Sequence, residues 1–135
     1  MRLRPSWVSG LNSEFFVETK KRVEVIDITA EVEKRAGSGN ACLVFVPHAT
    51  AALILNEFEP NIQEDYGEFF SRIAKGEWKH DRIDNNAEAH LLSALISPSV
   101  LVPVENKRLQ LGTWQRIMLV ELDGPRKRKV LVRMI

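Results

Sequence analysis

The sequence predicts an α+β fold: one domain, residues 1–135, of twisted, mainly antiparallel sheets with two or three helices inserted. Three observations carry that expectation. Runs rich in Val, Ile, Leu and Phe occupy both ends of the chain, while helical periodicity is confined to the middle. Strands at the ends with helices between them do not make a regular βαβ alternation. The 135 residues are one domain's worth, with no internal repeat and no Pro, Gly or Ser-rich linker to divide them. A full (β/α)₈ barrel, at roughly 200 residues or more, is excluded by length.

Glu14–Lys20 and Arg22–Ile28 read as a hairpin or as consecutive strands about Lys20-Lys21. Thr29 can cap a short helix to Ala36, with Glu31 and Glu33 in its first turn, and Gly37-Ser38-Gly39 stops it. Ala41–Val46 is an unbroken apolar run, the pattern of a strand buried on both faces. Ala51–Leu55 is another strand after the break at Pro47. Pro60 opens a helix whose face is Ile62, Tyr66, Phe69, Phe70 and Ile73, with Gly76 past its end. A second helix spans Asn86–Ile96, capped by Asn85 or Asn86, with Ala87, Leu91, Ala94 and Leu95 as its apolar face. Ser99–Val104, Leu109–Leu111, Thr113–Leu122 and Lys129–Ile135 read as strands, the last two joined by a turn at Asp123-Gly124-Pro125.

The composition is 44% hydrophobic and 27% charged, an ordinary globular mix. A formal charge of +1 gives no bulk attraction to nucleic acid or to an anionic membrane. No apolar run approaches the roughly 20 residues of a membrane helix, and MRLRPSWVSG has no apolar stretch after it to serve as a secretory leader. The single cysteine, Cys42, permits no intrachain disulfide, and a cytoplasmic location is expected. Cys42 lies in ACLVFV and reads as a buried structural residue. Charge is uneven. Residues 57–90 are predominantly acidic, whereas Arg126, Lys127, Arg128, Lys129 and Arg133 make the C-terminal segment basic.

The three histidines stand where site residues are often placed. His48 follows Pro47 at a strand end, His80 lies in the loop WKHD beside Asp81, and His90 is on the second helix. Three imidazoles suffice for a zinc ion with an open fourth position. Asp81 or Glu57 can orient a ligand or act as a base. The spacing itself is unspecific, since HExxH and CxxC are both absent. Separate hydrogen-bonded or surface histidines are the alternative. Asn56, Glu57 and Glu59 can face a cleft and bind a hydroxyl, an amine or a divalent cation, or they can cap the helix at Pro60. In GTWQR, Thr113 and Arg116 can contact phosphate oxygens and Trp114 can stack on a ring. Alternatively, Trp114 belongs to the core of a strand. No GxGxxG, P-loop or GxSxG pattern is present.

PHATAALILNEFEP, WKHD, the AHL around His90, SPSVLVPV and LGTWQRIMLVELDGPR occur in that order. Together they resemble the YjbQ family of small bacterial and archaeal proteins, also called the secondary thiamine-phosphate synthase family, over about residues 14–135. The family's histidine motif falls on His48, Ala49, Thr50 and Ala51, its Asn-Glu on Asn56 and Glu57, and its His-Asp on His80 and Asp81. Its helix histidine falls on His90, and its Gly-Thr-Trp-Gln on Gly112, Thr113, Trp114 and Gln115. Two positions depart from the pattern: Lys107 stands where the family often has glycine, and Glu88 where it often has histidine.

The resemblance implies a homotrimer with sites near subunit boundaries. It also implies synthesis of thiamine phosphate from hydroxymethylpyrimidine diphosphate and a thiazole phosphate. Such chemistry needs Mg²⁺ or basic groups on the diphosphate and an aromatic platform for the pyrimidine. On that reading His48, His80, Asp81 and Glu57 form the catalytic set, and Thr50, Asn56, Thr113, Trp114, Gln115 and Arg116 bind substrate. A zinc-dependent hydrolase, with the metal on His48, His80 and His90, is the competing expectation. A non-catalytic binding protein for a small anion or metabolite is the third.

Overall fold

The computed structural model describes residues 12–135. Two antiparallel sheets face each other, and helices cover the back of the smaller one. The five-stranded sheet has the order β1-β8-β3-β5-β6, from β1 (Asn12–Glu18), β3 (Ala41–Phe45), β5 (Ser99–Glu105), β6 (Arg108–Leu109) and β8 (Lys127–Met134). The three-stranded sheet has the order β2-β7-β4, from β2 (Glu24–Asp27), β4 (Ala51–Asn56) and β7 (Arg116–Glu121). The described residues form three helices, α1 (Thr29–Glu33), α2 (Pro60–Ile73) and α3 (Ala87–Ile96), with a 3₁₀ turn at Lys79–Arg82. No helix among the described residues is long and apolar enough to cross a membrane.

The main core lies between the sheets, where Val44, Val102, Val130 and Val132 meet Leu53, Ile117 and Leu119. A second cluster sits behind the small sheet, where Ala52, Met118 and Val120 pack under Phe70, Ala89 and Leu92. The small sheet is therefore apolar on both faces, which explains the unbroken apolar sequence of β7 and β4. The large sheet is covered on one face only. Expected as a strand buried on both sides, β3 instead alternates: Cys42 and Val44 point inward, Leu43 and Phe45 outward. Cys42 is fully buried, and desolvation pushes its thiol up to about 11, consistent with a structural role.

Several local expectations are revised. The first two strands form no hairpin, because β1 pairs with β8 and β2 with β7. Thr29 does not cap α1, whose N-cap is Ile28. Its hydroxyl instead donates to Asp27 Oδ1 at 2.6 Å and accepts the Ile117 amide at 2.8 Å, tying α1 to β7. The α2 helix does begin at Pro60, with Glu59 as its cap accepting from the Asn61 and Ile62 amides. Only Phe70 of its apolar face is buried. The α3 helix is turned by about one residue, roughly 100°, from its expected seating. Ala87, Ala89, Leu92 and Ser93 are buried, while Leu91, Ala94 and Leu95 are exposed. The small side chains let α3 approach β4 closely, and Ser93 Oγ donates to the Ala51 carbonyl at 2.7 Å. Lys107 adopts φ 64 in the β5–β6 turn, a left-handed conformation that accounts for glycine in the family pattern.

Candidate functional site

The register of β4 against β7 sorts the candidate residues into two groups. Ala51 pairs with Glu121 at one end, and Asn56 with Arg116 at the other. Five residue steps at about 3.3 Å put the two ends roughly 17 Å apart. His48, Thr50, His80, Asp81 and His90 belong to the Glu121 end. Asn56, Glu57, Thr113, Trp114, Gln115 and Arg116 belong to the other, so one chain does not join them in a single site.

At the Glu121 end, His80 and His90 meet edge to face, with ring centroids 4.8 Å apart and planes at 74°. They line a cavity of about 600 Å³ together with Glu77, Trp78, Lys79, Ala87 and Leu91. The 3₁₀ turn carries His80 and α3 carries His90. Asp81 joins these two elements, because its Oδ1 accepts the Ala87 amide at 3.0 Å. That bond satisfies an orphan N–H of the first turn of α3, where Asn86 makes no side-chain cap. Trp78 is fixed from the other side. Its Nε1 donates to the Ala74 carbonyl at 2.9 Å, and its ring lies against Gly76, where a Cβ would approach to 3.0 Å.

Asn86 underlies the histidine pair. Its Oδ1 lies 2.9 Å from His80 Nε2, its Nδ2 donates to Asp123 Oδ2 at 2.9 Å, and its backbone carbonyl accepts the His90 amide at 3.2 Å. Burial alone would raise the Asp123 carboxyl, but the Asn86 amide and Arg126 outweigh it and hold it below the usual range.

His48 stands apart from the pair. Its Nε2 accepts the Lys129 amide at 2.9 Å, so the ring is neutral at that nitrogen. Desolvation, then the charge of Arg128, holds His48 below the ordinary histidine value despite Glu121. Among the described residues, no group of three His, Cys, Asp or Glu side chains could hold a metal ion. Thr50 is buried, and Arg128 Nη2 donates to both its hydroxyl (2.9 Å) and its carbonyl (3.0 Å). The same guanidinium pairs with Glu121, which is 0% exposed against 4% for Arg128. Glu121 also accepts from Thr19 Oγ1 and from the Leu122 and Asp123 amides, so its carboxylate is fully satisfied.

The opposite end is open. Trp114 is not in the core: it is 72% exposed, on a turn that precedes β7 rather than within the strand expected from Thr113. Gln115 holds that turn, its Oε1 accepting the Gly112 amide at 2.8 Å. Arg116 Nε donates to Asp27 Oδ2 at 2.9 Å, and burial of Asp27 is outweighed by Thr29 and Arg116, which lower its carboxyl. Thr113, Gln115 and Arg116 border a cavity of about 320 Å³ beside α1. Asn56 Oδ1 accepts the Glu57 amide, and both residues are exposed.

Sequence reasoning passed over Trp78, Asn86, Asp123, Glu121 and Arg128 as site residues. Trp78 had a signal in its place two residues before His80. Glu121 and Arg128 had a subtler one, a charge of each sign within otherwise apolar alternation.

The comparisons with known proteins agree with this architecture. A family model described as UPF0047 protein YjbQ-like matches residues 13–135. A UPF0047 protein of Archaeoglobus fulgidus is 50% identical over 124 residues, 89% of this chain and 98% of its own length. The UPF0047 protein YugU of Bacillus subtilis is 40% identical, covering 88% of this chain and 95% of its own. The crystal structure of a hypothetical protein from Aeropyrum pernix superposes with a TM-score of 0.88 at 44% identity, over 92% of this chain and 97% of that one. By sequence and by fold, the chain belongs to the YjbQ-like UPF0047 family.

Proposed function

We propose that the chain is an enzyme acting on a small, ring-containing phosphorylated metabolite, with the cavity over His80 and His90 as its active site. The imidazole pair carries this reading: two rings in contact at the polar end of a cavity of about 600 Å³. That volume lies within the range of small-molecule sites. Trp78 and Leu91 supply apolar surface for a ring, and the histidines supply proton donors and acceptors for its polar substituents.

The finer reading, resting on the family resemblance, is a transferase of the thiamine-phosphate synthase type. The thiazole nitrogen attacks the methylene carbon of hydroxymethylpyrimidine diphosphate. The bond from that carbon to the diphosphate oxygen breaks, and its electron pair leaves with diphosphate. In this reading Trp78 stacks on the pyrimidine, His80 accepts a hydrogen bond from a polar substituent of that ring, and His90 holds a departing phosphate oxygen. The chemistry calls for Mg²⁺ or basic groups on the leaving diphosphate, and Glu77 and Lys79, which line the cavity, are the residues that would meet the ion and the phosphate there. Assembly as a homotrimer belongs to the same proposal, since it gives exposed Trp114 a neighbouring surface to cover it.

The zinc-dependent hydrolase has one observation in its favour, the contact between His80 and His90. A site with three protein ligands needs one more, and His48 of the same chain is turned to the Lys129 amide. In this reading a neighbouring chain contributes the third.

The test is diphosphate release by the purified chain, given both phosphorylated substrates and Mg²⁺. Turnover that falls by about 100-fold or more in His80→Ala and in His90→Ala supports the synthase. Stoichiometric zinc in protein purified without chelators, with phosphate-ester hydrolysis, supports the hydrolase. Binding without turnover across a panel of phosphorylated heterocycles would sink both.

A further inference from the structure

Hydrogen-bond chemistry settles which nitrogen of His80 carries its proton. The ionised Asp123 carboxylate has no hydrogen, and it already accepts from Arg126 Nη2 at 3.0 Å. The Asn86 atom facing it must therefore be the amide nitrogen, at 2.9 Å. That pins the amide, so the Asn86 oxygen is the atom 2.9 Å from His80 Nε2. An amide oxygen can only accept, and Nε2 must donate. In the neutral ring the lone pair then resides on Nδ1, which has no hydrogen bond to the described residues.

We propose that Asp123 and Asn86 are positioning residues that hold His80 in its Nε2–H form, presenting the Nδ1 lone pair to the cavity as the acceptor for an N–H or O–H group of a small-ring ligand. The arrangement is a carboxylate–amide–imidazole chain. It does for His80 what a carboxylate does directly in a catalytic triad, fixing both orientation and tautomer. Asn86 is buried: its side chain meets the His80 ring, and its backbone carbonyl accepts the His90 backbone amide at the start of α3, so one residue lies behind both histidines. The assignment of a ligand rests on the reading of this cavity as the active site. The tautomer does not.

The experiment is long-range proton–nitrogen correlation NMR on the full chain labelled at histidine nitrogens, recorded at pH 8, with His80 assigned by its loss in His80→Gln. The wild type is expected to show His80 as the Nε2–H form alone. Asp123→Asn frees the amide to flip and is expected to give a mixture of tautomers at His80. Asn86→Leu removes the acceptor and is expected to do the same. A wild-type His80 in the Nδ1–H form, or an unchanged tautomer in folded Asp123→Asn, would overturn the proposal. Where a variant fails to fold, a wild-type spectrum showing the Nδ1–H form still overturns the proposal, and the other variant carries the comparison. A purely structural role for Asp123 lowers the melting temperature but leaves the tautomer unmoved. Titrating free hydroxymethylpyrimidine, whose hydroxyl is a donor, tests the ligand separately: movement of the His80 Nδ1 resonance supports it, and none overturns that part alone.

Discussion

The two ends of the three-stranded sheet are built on opposite plans. At the Glu121 end, Glu121 and Arg128 are buried and mutually satisfied, and the partly covered Asp123 is held by Asn86 and the exposed Arg126. Side chains there have one arrangement, and the His80–His90 pair inherits its geometry from them. At the Arg116 end, the aromatic residue is uncovered and the ion pair of Arg116 with Asp27 is partly solvated. The difference separates preorganisation from availability. A closed polar network can aim a functional imidazole without a ligand present. An open turn bearing Trp114 offers surface that only a ligand or a neighbouring chain can cover.

If this contrast is real, equivalent charge removals should have unequal costs. Glu121→Gln leaves Arg128 buried without a carboxylate and is expected to cost about 3–5 kcal/mol. Arg116→Met at the open end should cost about 0–1 kcal/mol. Urea denaturation of both variants measures the gap, and equal losses would break the comparison. Next in size is Gly124→Ala. A Cβ there would collide with the Lys21 carbonyl oxygen and come within 2.9 Å of Thr19 Oγ1. Crowding against backbone is not relieved by a rotamer change, so a loss of about 1–3 kcal/mol is expected. The same denaturation assay checks it.

A smaller effect sharpens the contrast through pH. The folded state holds His48 below 6.5, because burial and then the neighbouring Arg128 charge disfavour the imidazolium. The unfolded chain therefore takes up that proton at higher pH than the folded one. Stability from neutral His48 is complete above pH 6.5 and is lost as pH falls toward the folded value. Asp123 and Asp27 are depressed from 3.8, so their contributions hold above that value and are lost only in stronger acid. Between pH 7 and pH 5 the melting temperature should fall, and His48→Gln, whose carbonyl accepts without titrating, should make that fall shallower. An unchanged slope would show that the His48 contact contributes nothing.

Legibility in the sequence followed how local the determining physics was. Pro60 and the Glu59 cap declare the start of α2 within three residues, and β4 declares itself by apolar content. Pairing was not legible, because nothing in Glu14–Ile28 says that β1 and β2 go to different sheets. The seating of α3 was not legible either: the inward Ser93 donates to the Ala51 carbonyl, 42 positions away. The histidines were legible as residues, yet the partners that organise them were not. Asn86 looked like a helix cap and Asp123 like a turn former. Their joint role depends on a side-chain contact spanning 37 positions.

The smallest expected effect is also the most telling. Trp114 is 72% exposed, so Trp114→Ala removes little buried surface within the chain. Unfolding free energy at low protein concentration should change by no more than about 0.5 kcal/mol. A large, mostly exposed aromatic is nevertheless poor economy for an isolated surface, and aromatic anchors are enriched where one surface meets another. The same substitution should therefore lower the mass measured by light scattering, or weaken binding of the phosphorylated substrates, by about tenfold in the corresponding constant. A variant unchanged in stability, mass and binding would make the Arg116 end merely exposed, and the contrast between the ends would reduce to the packing of Glu121 alone.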